Sequence, residues 1–130
     1  MLNYLGYMWA ERGENLTEAK EMIGKALKQE PENAAFLDSM AWVLFRLKQP
    51  KEALEFQLQA LKHQKEPDAT LHDHLGDIYL ALKEPQKARD QWEKALSIEP
   101  SDEISKKLKR SEEHTLNSSH EWISRMPSSA

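Results

Sequence analysis

The chain has 130 residues, with 22 acids against 18 bases and a net charge of −4, the size of one ordinary domain or one short repeat array. It has no cysteine, which excludes disulfides and thiol-based zinc sites, and its interspersed charges leave no electrostatic footprint for nucleic acid. No apolar run approaches the roughly 18 residues of a membrane span, so membrane insertion is not expected.

The opening stretch MLNYLGYMWAERG lacks a basic segment and a small-residue cleavage site, so it does not read as a signal peptide, and the compartment stays unknown. It reads instead as a helix carrying Leu5, Gly6 and Trp9. A second helix is expected from near Leu16, with Ala19, Ile23 and the pair Ala26-Leu27, closed by Pro31. The pattern then restarts. Met40, Ala41 and Leu44 mark a third helix, and a fourth starts near Pro50 and carries Ala53, Gln57 and Ala60-Leu61. Leu75, Gly76 and Tyr79 mark a fifth, followed near Pro85 by a sixth with Ala88, Trp92 and Ala95-Leu96, closed by Pro100. Proline is tolerated in a first helical turn and rejected inside a helix, so Pro50 and Pro85 fix two starts. A short terminal helix is expected over residues 101–109.

The restarts are in register. Gly6, Ala41 and Gly76 are each 35 apart, while Ala26, Ala60 and Ala95 follow at 34 and 35. A glycine inside a helix costs about 1 kcal/mol relative to alanine. Its recurrence as a small residue implies close helix packing, here expected between Gly76 and Ala88.

This pattern resembles the tetratricopeptide repeat (TPR), with its unit of about 34 residues, Leu-Gly pair, aromatic, two alanines and closing proline. The resemblance implies an all-α fold, a right-handed solenoid of three antiparallel helical hairpins plus a short C-terminal helix. The units fall at about 1–33, 34–67 and 68–100, within a repeat domain over 1–109. Three departures stand out. The turn GENLTEA has one extra residue, the second unit delays its proline to Pro67, and Gln57 sits where the other units place Ile23 and Trp92. Packing is expected to be weaker at Gln57.

Residues 110–130, RSEEHTLNSSHEWISRMPSSA, read differently. RSEEHT, LNSSH and SRMPSSA resemble, in order, the translation of a common sequencing adapter. They are therefore expected to be a non-native tail. Met1 falls inside the first helix of a unit with no capping residue before it, so the chain is expected to be a piece of a longer, bacterial protein.

No chemistry of catalysis is visible: no phosphate loop, nucleophile elbow or cysteine nucleophile, and carboxylates that sit near lysines at helical spacing. An enzyme is not expected, no catalytic residue is assigned, and no cofactor is implied. In LHDHLGD, His72 and His74 diverge on a helix, so only His74 with Asp77, or Asp73 with Asp77, could meet; a metal site is not expected. His63 lies at a helix end, where the dipole is reason enough for it.

A second stripe runs beside the packing stripe of each first helix: Asn3, Tyr7 and Ala10, then Asp38, Trp42 and Phe45, then Asp73, Asp77 and Leu80. The resemblance implies that this stripe lines a concave, peptide-binding surface. Asn3, Tyr7, Asp38, Trp42, Phe45, Asp73 and Asp77 are the candidate groove residues, with Trp42 expected to be exposed as an anchor. Family members that clamp a chaperone's C-terminal carboxylate use Lys, Arg and Asn here, and only Asn3 fits that role. The expected partner is therefore a protein or peptide segment, apolar with basic residues. The alternative is a purely structural C-terminal piece of a longer repeat scaffold.

Overall fold

The computed structural model describes residues 15–111. Within them five helices follow one another: α1 (Leu16–Gln29), α2 (Ala34–Arg46), α3 (Pro50–His63), α4 (Ala69–Ala81) and α5 (Pro85–Ile98). A sixth, α6, occupies residues 102–111. No strand occurs among the described residues, and no described helix is long and apolar enough to cross a membrane. The fold is an all-α stack of helical hairpins, α2 with α3 and α4 with α5, preceded by α1 and followed by α6. Starts at Leu16, Pro50 and Pro85 agree with the sequence pattern. α6 runs through residues 110 and 111, past the expected boundary at 109. Most of the tail, and the first helix of the first unit, lie outside the described residues.

Local chemistry sets the helix ends. Asn33 caps α2 by accepting from the Phe36 N–H at 3.1 Å, Asp68 caps α4 from the Thr70 N–H at 2.9 Å, and the Ser101 hydroxyl caps α6 from the Ile104 N–H at 3.3 Å. α2 and α4 end alike. The Gln49 N–H reaches back to the Leu44 carbonyl and Glu84 to Tyr79, both at 2.9 Å. These are Schellman closures, whose hinge residue adopts the left-handed region. The hinges here are Lys48 (φ 64°) and Lys83 (φ 63°), where glycine would rest at lower energy.

The core is built from small residues of the second helices facing larger ones. Ala19, Ala53, Ala60, Ala88 and Ala95 are buried completely or nearly so, as are Ile23, Leu44, Leu75 and Ile78. At Gly76 the structure corrects the expected partner. A Cβ there would meet the Trp92 indole first, with three of its atoms at 2.4–2.8 Å, ahead of any atom of Ala88. Trp92 is itself 1% exposed, so it has nowhere to retreat. The glycine makes room for the largest side chain of the adjacent helix.

Gln57, in the register position of Trp92, is also fully buried. Its Nε2 donates to the Leu71 carbonyl at 2.8 Å, tying α3 to the first turn of α4. The cost is an amide oxygen with no hydrogen-bond partner among the described residues, while the side chain itself is fully enclosed.

Gly76→Ala should therefore destabilise the chain by about 1–3 kcal/mol through overpacking, outweighing roughly 1 kcal/mol of gained helix propensity. Thermal melting checks it. In a Trp92→Leu background the same change should be neutral or stabilising. A parent-like melting temperature for Gly76→Ala alone would contradict the account.

Candidate functional site

The candidate row lies on α2 and α4, and the caps give its register. Asp38 and Trp42 lie five and nine residues past Asn33; Asp73 and Asp77 lie five and nine past Asp68. Such spacing puts each pair one turn apart on one helix face. Each pair is met by the residue six past the cap of the next first-type helix, His74 on α4 and Lys107 on α6.

At the α2–α4 seam, His74 Nδ1 lies 2.8 Å from Asp38 Oδ1, and with its proton there it donates to the carboxylate. The imidazole stacks on the Trp42 ring at 4.0 Å between centroids, with planes 19° apart. Phe45 stacks with Trp42 as well, at 4.8 Å and 18°. Asp38, Trp42 and His74 are 6%, 8% and 5% exposed. This corrects the expectation that Trp42 is an exposed anchor. Facing α4, it spends its surface on the seam between hairpins, with Asp38 buried beside it. Phe45 is half-buried against it.

At the α4–α6 seam, Lys107 Nζ donates to Asp73 Oδ1 at 2.9 Å and to Asp77 Oδ2 at 3.0 Å. All three side chains keep partial access to water. Asp73 and Asp77 meet as the sequence allowed, but through a lysine it did not single out. The signal was present, because Lys107 stands as far from Ser101 as His74 does from Asp68. Asn3 and Tyr7 lie outside the described residues.

Neighbouring polar residues are also used locally. His72 Nδ1 is 2.8 Å from Gln91 Oε1, joining α4 to α5, and His63 Nδ1 is 3.4 Å from Glu32. No group of three or more His, Cys, Asp or Glu able to hold a metal occurs among the described residues.

Electrostatics follow from burial against pairing. Burial acts most strongly on His74 and would lower its pKa. The Asp38 hydrogen bond and charge, helped by Asp73 and Asp77, outweigh it and raise the pKa above 6.5. Burial pushes the Asp77 carboxyl upward, and Lys107 only partly opposes this. Lys107 is disfavoured by burial, but Asp73 and Asp77 together raise it above its ordinary value.

Over residues 3–105 the chain matches the family described as tetratricopeptide repeat. It is 42% identical over 76 residues to the TPR repeat-containing protein PA4667 of Pseudomonas aeruginosa; the match spans 58% of this chain but 12% of that protein. The first TPR domain of human RPAP3 superposes with a TM-score of 0.80 at 21% identity, covering 92% of this chain and 93% of that one. The first TPR of Spaghetti (RPAP3), solved bound to the HSP90 peptide SRMEEVD, gives 0.78 at 22% identity, covering 88% and 90%. At such identities the structures speak for the fold alone.

The His74 linkage gives a pH prediction. A pKa raised on folding stabilises the native state fully below the unfolded value, and that stabilisation is lost as pH rises through the native value. Melting temperature should thus fall as pH rises above 6.5. Asp38→Asn should flatten this slope. Melts across the neutral range check it, and an unchanged slope in Asp38→Asn would contradict the assignment.

Proposed function

We propose, from the premise that this chain belongs to the tetratricopeptide repeat family, that it is a protein-interaction module whose first-type helices present an acidic row to a partner segment. The observation that carries the reading is the Asp73–Asp77 pair. Two carboxylates one turn apart, partly open to water, already hold one ammonium group supplied by the chain itself. Leu80, one turn further along α4 and 47% exposed, offers apolar area beside them. A partner lysine or arginine would take the place of Lys107, and an apolar neighbour in the partner would cover Leu80. The peptide in the Spaghetti structure carries two glutamates and an aspartate. The same charge brought to Asp73 and Asp77 would be repelled, so basic segments are favoured over acidic ones.

The match spans 12% of the P. aeruginosa relative, so the same helices also suit a second role as one stretch of a longer stack. The closed Asp38–His74–Trp42 seam favours that role for the second unit. The two roles divide the row, with the α2 portion serving stacking and the α4 portion serving recognition.

Binding of apolar peptides with basic, neutral or acidic flanks, measured by calorimetry on the full chain, tests the reading. Basic peptides should bind at Asp73 and Asp77 in competition with Lys107, and their affinity should fall with salt. Lys107→Ala should strengthen basic-peptide binding by removing the internal competitor, whereas Asp73→Asn with Asp77→Asn should weaken it about tenfold or more. Basic-peptide binding that is unchanged in Asp73→Asn with Asp77→Asn, or weaker in Lys107→Ala, would leave the stacking role alone.

A further inference from the structure

The turns that close α2 and α4 lie side by side on one edge of the stack, and between them the surface is concave. Lys48, Pro50 and Ala81 border two adjoining clefts there. One, of about 620 Å³, is floored by Leu16 and Phe45; the other, of about 450 Å³, opens at the start of α3. Phe45, counted with the acidic row from its sequence position, thus also faces this edge.

Charge on this edge runs against that of the chain. Arg46, Lys48, Lys51 and Lys83 all border the clefts and are all exposed, in a protein of net charge −4. None of the four forms an ion pair with a described residue, and Glu52 is the one acid among the described lining residues. Gln49 supplies no side-chain cap to α3, so the positive end of that helix adds to the same field. Lys48 and Lys83 hold the left-handed hinge positions, where their charges come at a conformational cost that glycine would avoid.

We propose that this edge docks an acidic peptide segment bearing one bulky apolar side chain. Its carboxylates meet Lys48, Lys51, Lys83 and the start of α3, while the apolar side chain covers Phe45, Leu16 and Ala81. The site is separate from the Asp73–Asp77 pair and selects the opposite charge. Complementarity chooses the occupant, since a basic segment would meet four cations that no described acid pairs. The apolar floor distinguishes a peptide from a bare polyanion, which has nothing to place on Phe45.

The probe is a fluorescein-labelled peptide of glutamates around a single phenylalanine, followed by anisotropy on the full chain. Two controls accompany it: alanine in place of the phenylalanine, and a single-stranded oligonucleotide of matched charge. The glutamate peptide should bind at least about tenfold tighter than each control, with affinity falling as salt rises. Lys48→Gly with Lys83→Gly removes two charges and relieves both hinges. That variant should melt no lower than the parent and bind the glutamate peptide about tenfold more weakly. Parent-like affinity in the glycine variant would overturn the proposal, as would equal binding of the oligonucleotide or of the alanine peptide. Amide shift changes confined to α4 around Asp73 and Asp77 would overturn it, together with the charge preference proposed for that pair.

Discussion

The structure depends on how each first-type helix seats on the one before it. A hairpin of two amphipathic helices cannot bury its own apolar surface, so it needs a neighbour, and the stack exists only as long as the seams hold. In this chain the seam is polar and repeats its geometry. The residue six past one cap reaches the residues five and nine past the previous cap, with His74 on Asp38 and Trp42, and Lys107 on Asp73 and Asp77. The chemistry changes from a buried imidazole on an indole to a half-exposed ammonium between two carboxylates, while the spacing stays fixed. That spacing follows from a common cap position at Asn33, Asp68 and Ser101.

Within a hairpin the constraint is steric. Trp92 fills the interface so fully that its opposite number must be glycine, whereas Gln57 at the matching position of the previous unit opposes a sequence register that tolerates Ala41. The two hairpins therefore meet one requirement differently. The third unit relies on shape, with a large ring against a missing side chain. The second gives up some shape for a hydrogen bond from Gln57 to the Leu71 carbonyl, which ties it to the next unit. Stability and inter-repeat contact are thus shared unevenly along the stack.

Much of this was legible in the sequence because it is periodic. The recurrence of small residues, the prolines at helix starts and the Ala-Leu pairs gave the hairpins and their order. What resisted reading was the identity of partners across helices. Gly76 was correctly tied to close packing but paired with Ala88, because spacing shows that a residue must be small without showing which neighbour fills the room. Trp42 looked like an exposed anchor because the stripe was read on α2 alone, and its cover comes from His74 on another helix. Lys107 went unremarked for the same reason. A row of acids on one helix is half a description, and the one cation that answers it, Lys107, lies 30 residues from Asp77 and 34 from Asp73.

The central claim is that the row is first a seam between repeats and only then a surface for partners. A double-mutant cycle on Asp38 and His74 tests it most directly, using Asp38→Asn, His74→Gln and the pair, with stability measured by chemical denaturation below the raised histidine pKa. A buried, hydrogen-bonded charge pair across the seam predicts a coupling of about 1 kcal/mol or more, fading as pH rises. Additive effects, with no coupling at any pH, would show that the two side chains do not hold the helices together and would contradict the account.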